Sequence, residues 1–419
     1  MALSSCNTNG GACVSCGVTA NVCTAGSCRC GANVPCASGE RCLGGACVCD
    51  ATSCAAGCCT ASGTCASRST ATCGPSGAAC VACGSNADTC SSAGDCLCGA
   101  NPACATGLCI SGACQMSGSS WAQRVTPQPT PVYAAAVAWD SVRQRLVLFG
   151  GRAVTARINE TWELGPTGWV QRSPMTSPPA RSGHDLAFDP VRQRVVLFGG
   201  YPDSNVRLGD TWEWDGTTWT ERTPATAPSA RSGHRMAWDP VRNVVVLFGG
   251  RVDGTTSTSY LSDTWTWNGT TWTPAASGGP TAREGVALAW DPGFMGGRLI
   301  MHGGLGVSGN RGDTLAWDGT AWTTLSLSAS PSNRVFHAMT YSPALGKVLL
   351  FGGSTGGSAS ATYYNDTWVF DRTSWLPVSA TTSPGVRNGH AMEWDPARGR
   401  VTLVGGWNGA SVLNDQWEY

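Results

Sequence analysis

Six glycine pairs set the terms on which this chain can fold. They fall at 150–151, 199–200, 249–250, 303–304, 352–353 and 405–406, a period of about 50 residues that marks copies of one supersecondary unit. Each pair closes a short apolar run, clearest in Val195-Val-Leu-Phe-Gly-Gly200 and Val245-Val-Leu-Phe-Gly-Gly250. Ahead of these two stand Arg181-Ser-Gly-His-Asp-Leu-Ala-Phe-Asp-Pro190 and Arg231-Ser-Gly-His-Arg-Met-Ala-Trp-Asp-Pro240. Behind each pair comes an aromatic run such as Asp210-Thr-Trp-Glu-Trp214, and then another that opens with Trp219. Short runs rich in Val, Leu and Trp, bounded by Gly, Pro and Asp, read as strands, four to a repeat. Val195 to Phe198 is apolar at every position, as a strand covered on both faces requires. Asp189-Pro-Val-Arg192 suits a tight hairpin, with Pro fixing φ at the second turn position.

Glycine pair, later aromatic pair and further Trp, in register six times, resemble the kelch-repeat family over nearly all of residues 119–419. The resemblance implies an all-β fold, a six-bladed kelch-type propeller occupying residues 117–419. Its fourth-strand tryptophans are Trp121, Trp169, Trp219, Trp272, Trp322 and Trp375. Trp121 precedes the first complete blade, and the last blade stops at its third strand with Tyr419. Residues 119–125 are therefore expected to supply the outer strand of that blade, removing the open sheet edge.

The first 116 residues have a different chemistry. All 23 cysteines lie between Cys6 and Cys114, and all 19 tryptophans between Trp121 and Trp417. Residues 1–116 contain no aromatic residue, so they bury too little apolar surface to fold without cross-links. A duplicated unit runs over about 12–47 and 79–114, with a middle unit at 49–73. Twenty-two cysteines fall in groups of eight, six and eight, enough for eleven disulfides of undetermined connectivity. The expectation is a disulfide-rich, loop-rich stalk in an oxidising compartment. The spacing resembles the EGF-like or EB-type modules of secreted bacterial proteins. A metal–thiolate cluster is the rival reading, and the absence of His in this half weighs against it. Three roles fit the odd Cys6: acylation after Leu3-Ser-Ser-Cys6 as a lipid anchor, a framework disulfide, or a bond to another copy.

Net charge is zero with no basic run, so nucleic acid is not an expected partner. No apolar run reaches membrane-spanning length. Four histidines recur in place, His184, His234, His337 and His390, following Arg181, Arg231, Arg334 and Arg387. As a binding set they would ring a channel mouth. As repeat residues they would serve turn hydrogen bonds and blade spacing, which is the reading their periodicity favours. Kelch-type copper oxidases need a Tyr–Cys cross-link, and residues 117–419 hold no cysteine. No cofactor, no metal and no catalytic residue is expected. The sequence thus points to a non-enzymatic binding or adhesion protein at the outer surface of a bacterium, taking an extracellular protein or glycan. A structural subunit of an extracellular filament, built from further copies of the chain, is the second reading. A carbohydrate-active kelch enzyme is the third, by fold analogy alone.

Overall fold

The computed structural model describes residues 120–124, 129–204, 206–253, 259–275, 279–356 and 361–419, with the backbone of short strands between Val22 and Gln115. The chain divides into two units, Met1–Ser117 and Gly118–Tyr419. In the first unit the duplicated halves carry matching hairpins. Arg41–Leu43 pairs with Ala46–Val48, setting Cys42 opposite Cys47, and Leu108–Ile110 pairs with Ala113–Gln115, setting Cys109 opposite Cys114. The cysteine side chains lie outside the described residues, and with them the disulfide framework, its metal alternative and the role of Cys6.

Unit two contains six four-stranded antiparallel sheets. Blade two is representative: Asp185–Asp189, Arg194–Gly200, Leu208–Trp214 and Trp219–Arg222, in that order from the inner to the outer edge. The second strand is the most deeply buried, with Val195, Val196, Leu197 and Phe198 all fully enclosed between neighbouring blades. The five other inner strands are Ala136–Asp140, Arg235–Asp239, Ala287–Asp291, Ala338–Ser342 and Ala391–Asp395. In the last blade the outer strand is Ala122–Arg124, antiparallel to Gln416–Glu418 near the end of the chain. Arg124 anchors it through an ion pair with the buried Glu418.

Two sets of hydrogen bonds join each blade to the next. The first uses the outer-strand tryptophans. Trp219, Trp272, Trp322 and Trp375 donate their indole N–H to Thr161, Thr211, Thr264 and Thr314 of the preceding blade, each at 2.9 Å. Trp121 reaches Thr367 at 3.0 Å, and Trp169 reaches Gln416 at 3.0 Å, which completes the circle. A buried indole needs a partner for its N–H, so these bonds fix the distance between blades as well as filling the space.

The second set is a ring of backbone bonds where the inner strands begin. Gly183 N donates to Ala134 O, Gly233 to Gly183, Gly285 to Gly233, Phe336 to Gly285, Gly389 to Phe336 and Ala134 to Gly389, at 2.7–2.8 Å. All six residues have φ between 53° and 69°, the left-handed region that glycine enters without steric cost. Ala134 and Phe336 adopt it with side chains, which the ring imposes on them.

Trp121 is only 2% exposed although it is the fourth residue of the second unit. Its replacement by alanine is expected to cost about 3–5 kcal/mol, the toll of emptying a core site. A thermal melt of the full chain checks this. An unchanged midpoint would mean that residues 120–124 do not close the propeller.

Candidate functional site

The four arginines singled out in the repeat are buried girders. Arg181, Arg231, Arg334 and Arg387 are at most 1% exposed. Each holds an aspartate of its own blade with both terminal nitrogens: Asp210 at 2.7 and 2.7 Å, Asp263 at 2.6 and 2.8 Å, Asp366 at 2.7 and 2.7 Å, and Asp415 at 2.6 and 2.7 Å. Each also donates to the carbonyl of a paired glycine, as Arg231 does to Gly249 at 3.0 Å. At the same time the Arg231 carbonyl accepts from Gly200 of the preceding blade, so one residue ties two blades together. The fork-to-fork geometry saturates donors and acceptors alike.

Arg283 does the same work in blade four, with Asp313 at 2.6 and 2.9 Å, although no His follows it and sequence reading passed it over. The aspartate of Arg311-Gly-Asp313 is thereby engaged inside the wall. Burial alone would raise the carboxyls of Asp263, Asp313, Asp366 and Asp415; the guanidinium bonds outweigh it and hold them below the usual range. Blade one lacks the clamp. Val132 stands in the Arg position, and Glu160 takes hydrogen bonds from Thr130 and Trp162, each at 2.7 Å.

The four recurrent histidines are also interior, 0–2% exposed. His184 packs edge-on against Phe149 of the preceding blade, His234 against Phe198 and His390 against Phe351. His302 takes the Phe position in blade four, and His337 packs against it instead. Burial pushes His184 and His302 down to about 3, with neighbouring arginines adding to the effect. His234, His337 and His390 lie well below the ordinary histidine range for the same first reason. Neutral, enclosed imidazoles space the blades and do not offer acid–base groups to solvent.

The accessible site lies at the opposite end of the inner strands. A pocket of about 370 Å³ opens there, within the size range of small-ligand sites. Its rim is built by repetition: the residue before each inner-strand terminus is aromatic, giving Trp139, Phe188, Trp238, Trp290, Tyr341 and Trp394, one per blade. Pro190, Pro240, Pro292 and Pro343, from the hairpins that follow, complete the rim. In four of the six blades the hairpin is braced by its aspartate: Asp140, Asp189, Asp239 and Asp395 accept backbone N–H bonds within the turn and pair with the Arg three residues on. The rim rings other than Phe188 are partly exposed. Among the described residues, the indole N–H groups of Trp139, Trp238, Trp290 and Trp394 meet no protein acceptor. That separates them from the outer-strand tryptophans, which donate theirs to the neighbouring blade.

The pocket wall is otherwise almost wholly apolar. Further along the channel a smaller space of about 70 Å³ is lined by Asp185, Arg235, His390 and Glu393. Arg235 and Asp185 approach each other at 3.4 Å, and Asp185 also accepts from Met236 N at 2.6 Å. Glu393 lines both spaces. Burial raises its carboxyl to about 7, with the charge of Asp185 adding to the shift.

Fold and repeat together define this unit as a six-bladed β-propeller. Residues 168–318 match the family described as the KLHDC2/KLHL20/DRC7 kelch-repeats domain. The solved structure of YjhT is similar in fold, with a TM-score of 0.54 and 14% identity over 70% of this chain and 96% of that one. No curated protein matches the chain in sequence. Among the described residues no helix is long and apolar enough to cross a membrane.

Two outcomes follow from the buried groups. Asp263→Ala should destabilise the propeller by about 3–5 kcal/mol, because it leaves the fully buried Arg231 guanidinium without its counter-charge; an equilibrium urea titration reads the change. The second concerns pH. Unfolded histidines take up a proton near 6.5, whereas the folded ones stay neutral far below that value. Stability should therefore fall as pH drops from about 6.5 towards 3. Asp185, Glu284 and Glu393 are shifted upward and act in the opposite sense, but the 5 histidines outnumber them. A melting temperature flat between pH 7 and 4.5 would contradict the assignment.

Proposed function

We propose that the chain is a non-enzymatic binding protein whose propeller grips a segment of a partner protein at the aromatic-rimmed mouth. The observation that carries this reading is the mouth itself: six aromatic residues, one from each blade, around an apolar pocket with unspent indole donors. Partly exposed aromatic rings grouped around a concave apolar surface are the usual anchors of protein recognition. The kelch-repeat match over residues 168–318 favours a protein partner over a glycan. The eight Arg and His residues of the repeat belong to the walls and are not part of this surface.

The cellular setting rests on composition. A segment with 23 cysteines and no aromatic residue suits an oxidising compartment, and with it a place outside a bacterial cell. Cys6 would there carry a lipid, a framework disulfide or a link to another copy. A second reading, a carbohydrate-active enzyme, draws on the carboxyl of Glu393, held near neutrality inside the pocket as a general acid would be.

Peptide-display selection against the full chain, repeated with a Trp238→Ala/Trp394→Ala variant, tests the binding reading. Selected peptides should bind the variant at least tenfold more weakly while its melting curve stays cooperative. Equal binding to both would move the site away from the mouth.

A further inference from the structure

We infer that the group seated in this mouth is a lysine side chain of the partner, its stem against the aromatic rim and its ammonium on Glu393. The inference rests on the binding reading above and names its ligand chemistry. Glu393 is the third residue of its inner strand, and the same position in the other blades is Ala138, Ala187, Ala237, Ala289 and Thr340. Five blades therefore close with a small side chain there, and the fold itself has no need of an acid. Its local bonds are slight: Oε1 accepts from Thr340 Oγ1 at 3.1 Å and from the N–H of Trp394 at 3.1 Å. Among the described residues no Arg or Lys pairs with it.

The charges around Glu393 leave room for one cation. Asp185 and Arg235 are matched to each other, and Arg235 also donates to Val286 O at 3.1 Å. The rim carboxylates Asp140, Asp189, Asp239, Asp291 and Asp395 are each held by an arginine. His390, the remaining titratable group beside Glu393 in the channel, is neutral. An ionised Glu393 thus gives the channel one negative charge without a partner, set behind a rim of six aromatic side chains. The faces of such rings attract a cation, most strongly where water is excluded. The acceptor set also selects among cations. A guanidinium presents five donors in a plane, while one carboxylate and one hydroxyl among apolar walls suit a compact ammonium on an apolar stem.

The test uses three capped tripeptides, glycine–X–glycine with X as lysine, norleucine or arginine, titrated into the full chain. Indole N–H resonances of the rim tryptophans report binding. At pH 8 the lysine peptide should bind at least tenfold more tightly than the norleucine peptide. Its affinity should weaken severalfold or more between pH 8 and 6, because protonating Glu393 removes the counter-charge. Glu393→Gln should abolish both the lysine preference and the pH dependence while norleucine binding persists. Equal binding of lysine and norleucine peptides would overturn the inference and leave the apolar mouth standing as a protein site. Tighter binding of the arginine peptide would overturn it in favour of a guanidinium. No shift of any rim indole with any peptide would overturn the inference together with the binding reading beneath it.

Discussion

Six backbone hydrogen bonds, passed from blade to blade around the channel, are the constraint on which the rest of the structure depends. Each joins an amide of one inner-strand start to the carbonyl of its neighbour at 2.7–2.8 Å. Such a circle closes only when all six residues share one backbone conformation, and all six lie in the left-handed region. Once that circle is fixed, the following His must pack on the preceding blade, and the Arg two residues before the ring must turn into the wall towards its aspartate. The inner strands then all point their far ends to the same face. The aromatic rim is a consequence of that common direction.

The repeat carries its instructions unevenly. Asp210-Thr-Trp-Glu-Trp214 is nearly a wiring diagram: Asp210 takes Arg181 and the Trp212 indole, Thr211 takes Trp272 of the next blade, and Trp214 donates to Glu163 of the previous one. Strand number, the order within blades and the turn role of Asp189 could be read from such segments because short-range spacing fixes them. Blade four was harder, since Arg283 lacks the His that marks its sisters and Glu284-Gly285-Val286 hides the motif. Ala134 and Phe336 were illegible for a different reason. Neither residue type favours positive φ, and only closure of the ring forces it.

The site was legible in its parts and not in its assembly. The aromatic residue before each Asp-Pro turn stands in plain view at Phe188 and Trp238, yet a sequence read one blade at a time treats it as core. Only the circular arrangement brings six such residues to one rim and leaves five of their rings partly uncovered. For the histidines periodicity favoured turn hydrogen bonds and blade spacing over chemistry, and in the structure they lie buried between the blades. Glu393 appears in a single blade, and its meaning comes from contrast with the alanines that occupy its place elsewhere.

Amide hydrogen exchange, resolved at Ala134, Gly183, Gly233, Gly285, Phe336 and Gly389, tests the closed ring most directly. The account predicts that all six exchange together and only through global unfolding, with the blade-one position Ala134 as slow as the rest despite its missing arginine clamp. Fast exchange at Ala134 alone, whose amide donates to Gly389 O, would show the ring open between the last blade and the first. The common face, and the aromatic mouth that depends on it, would then lose its foundation.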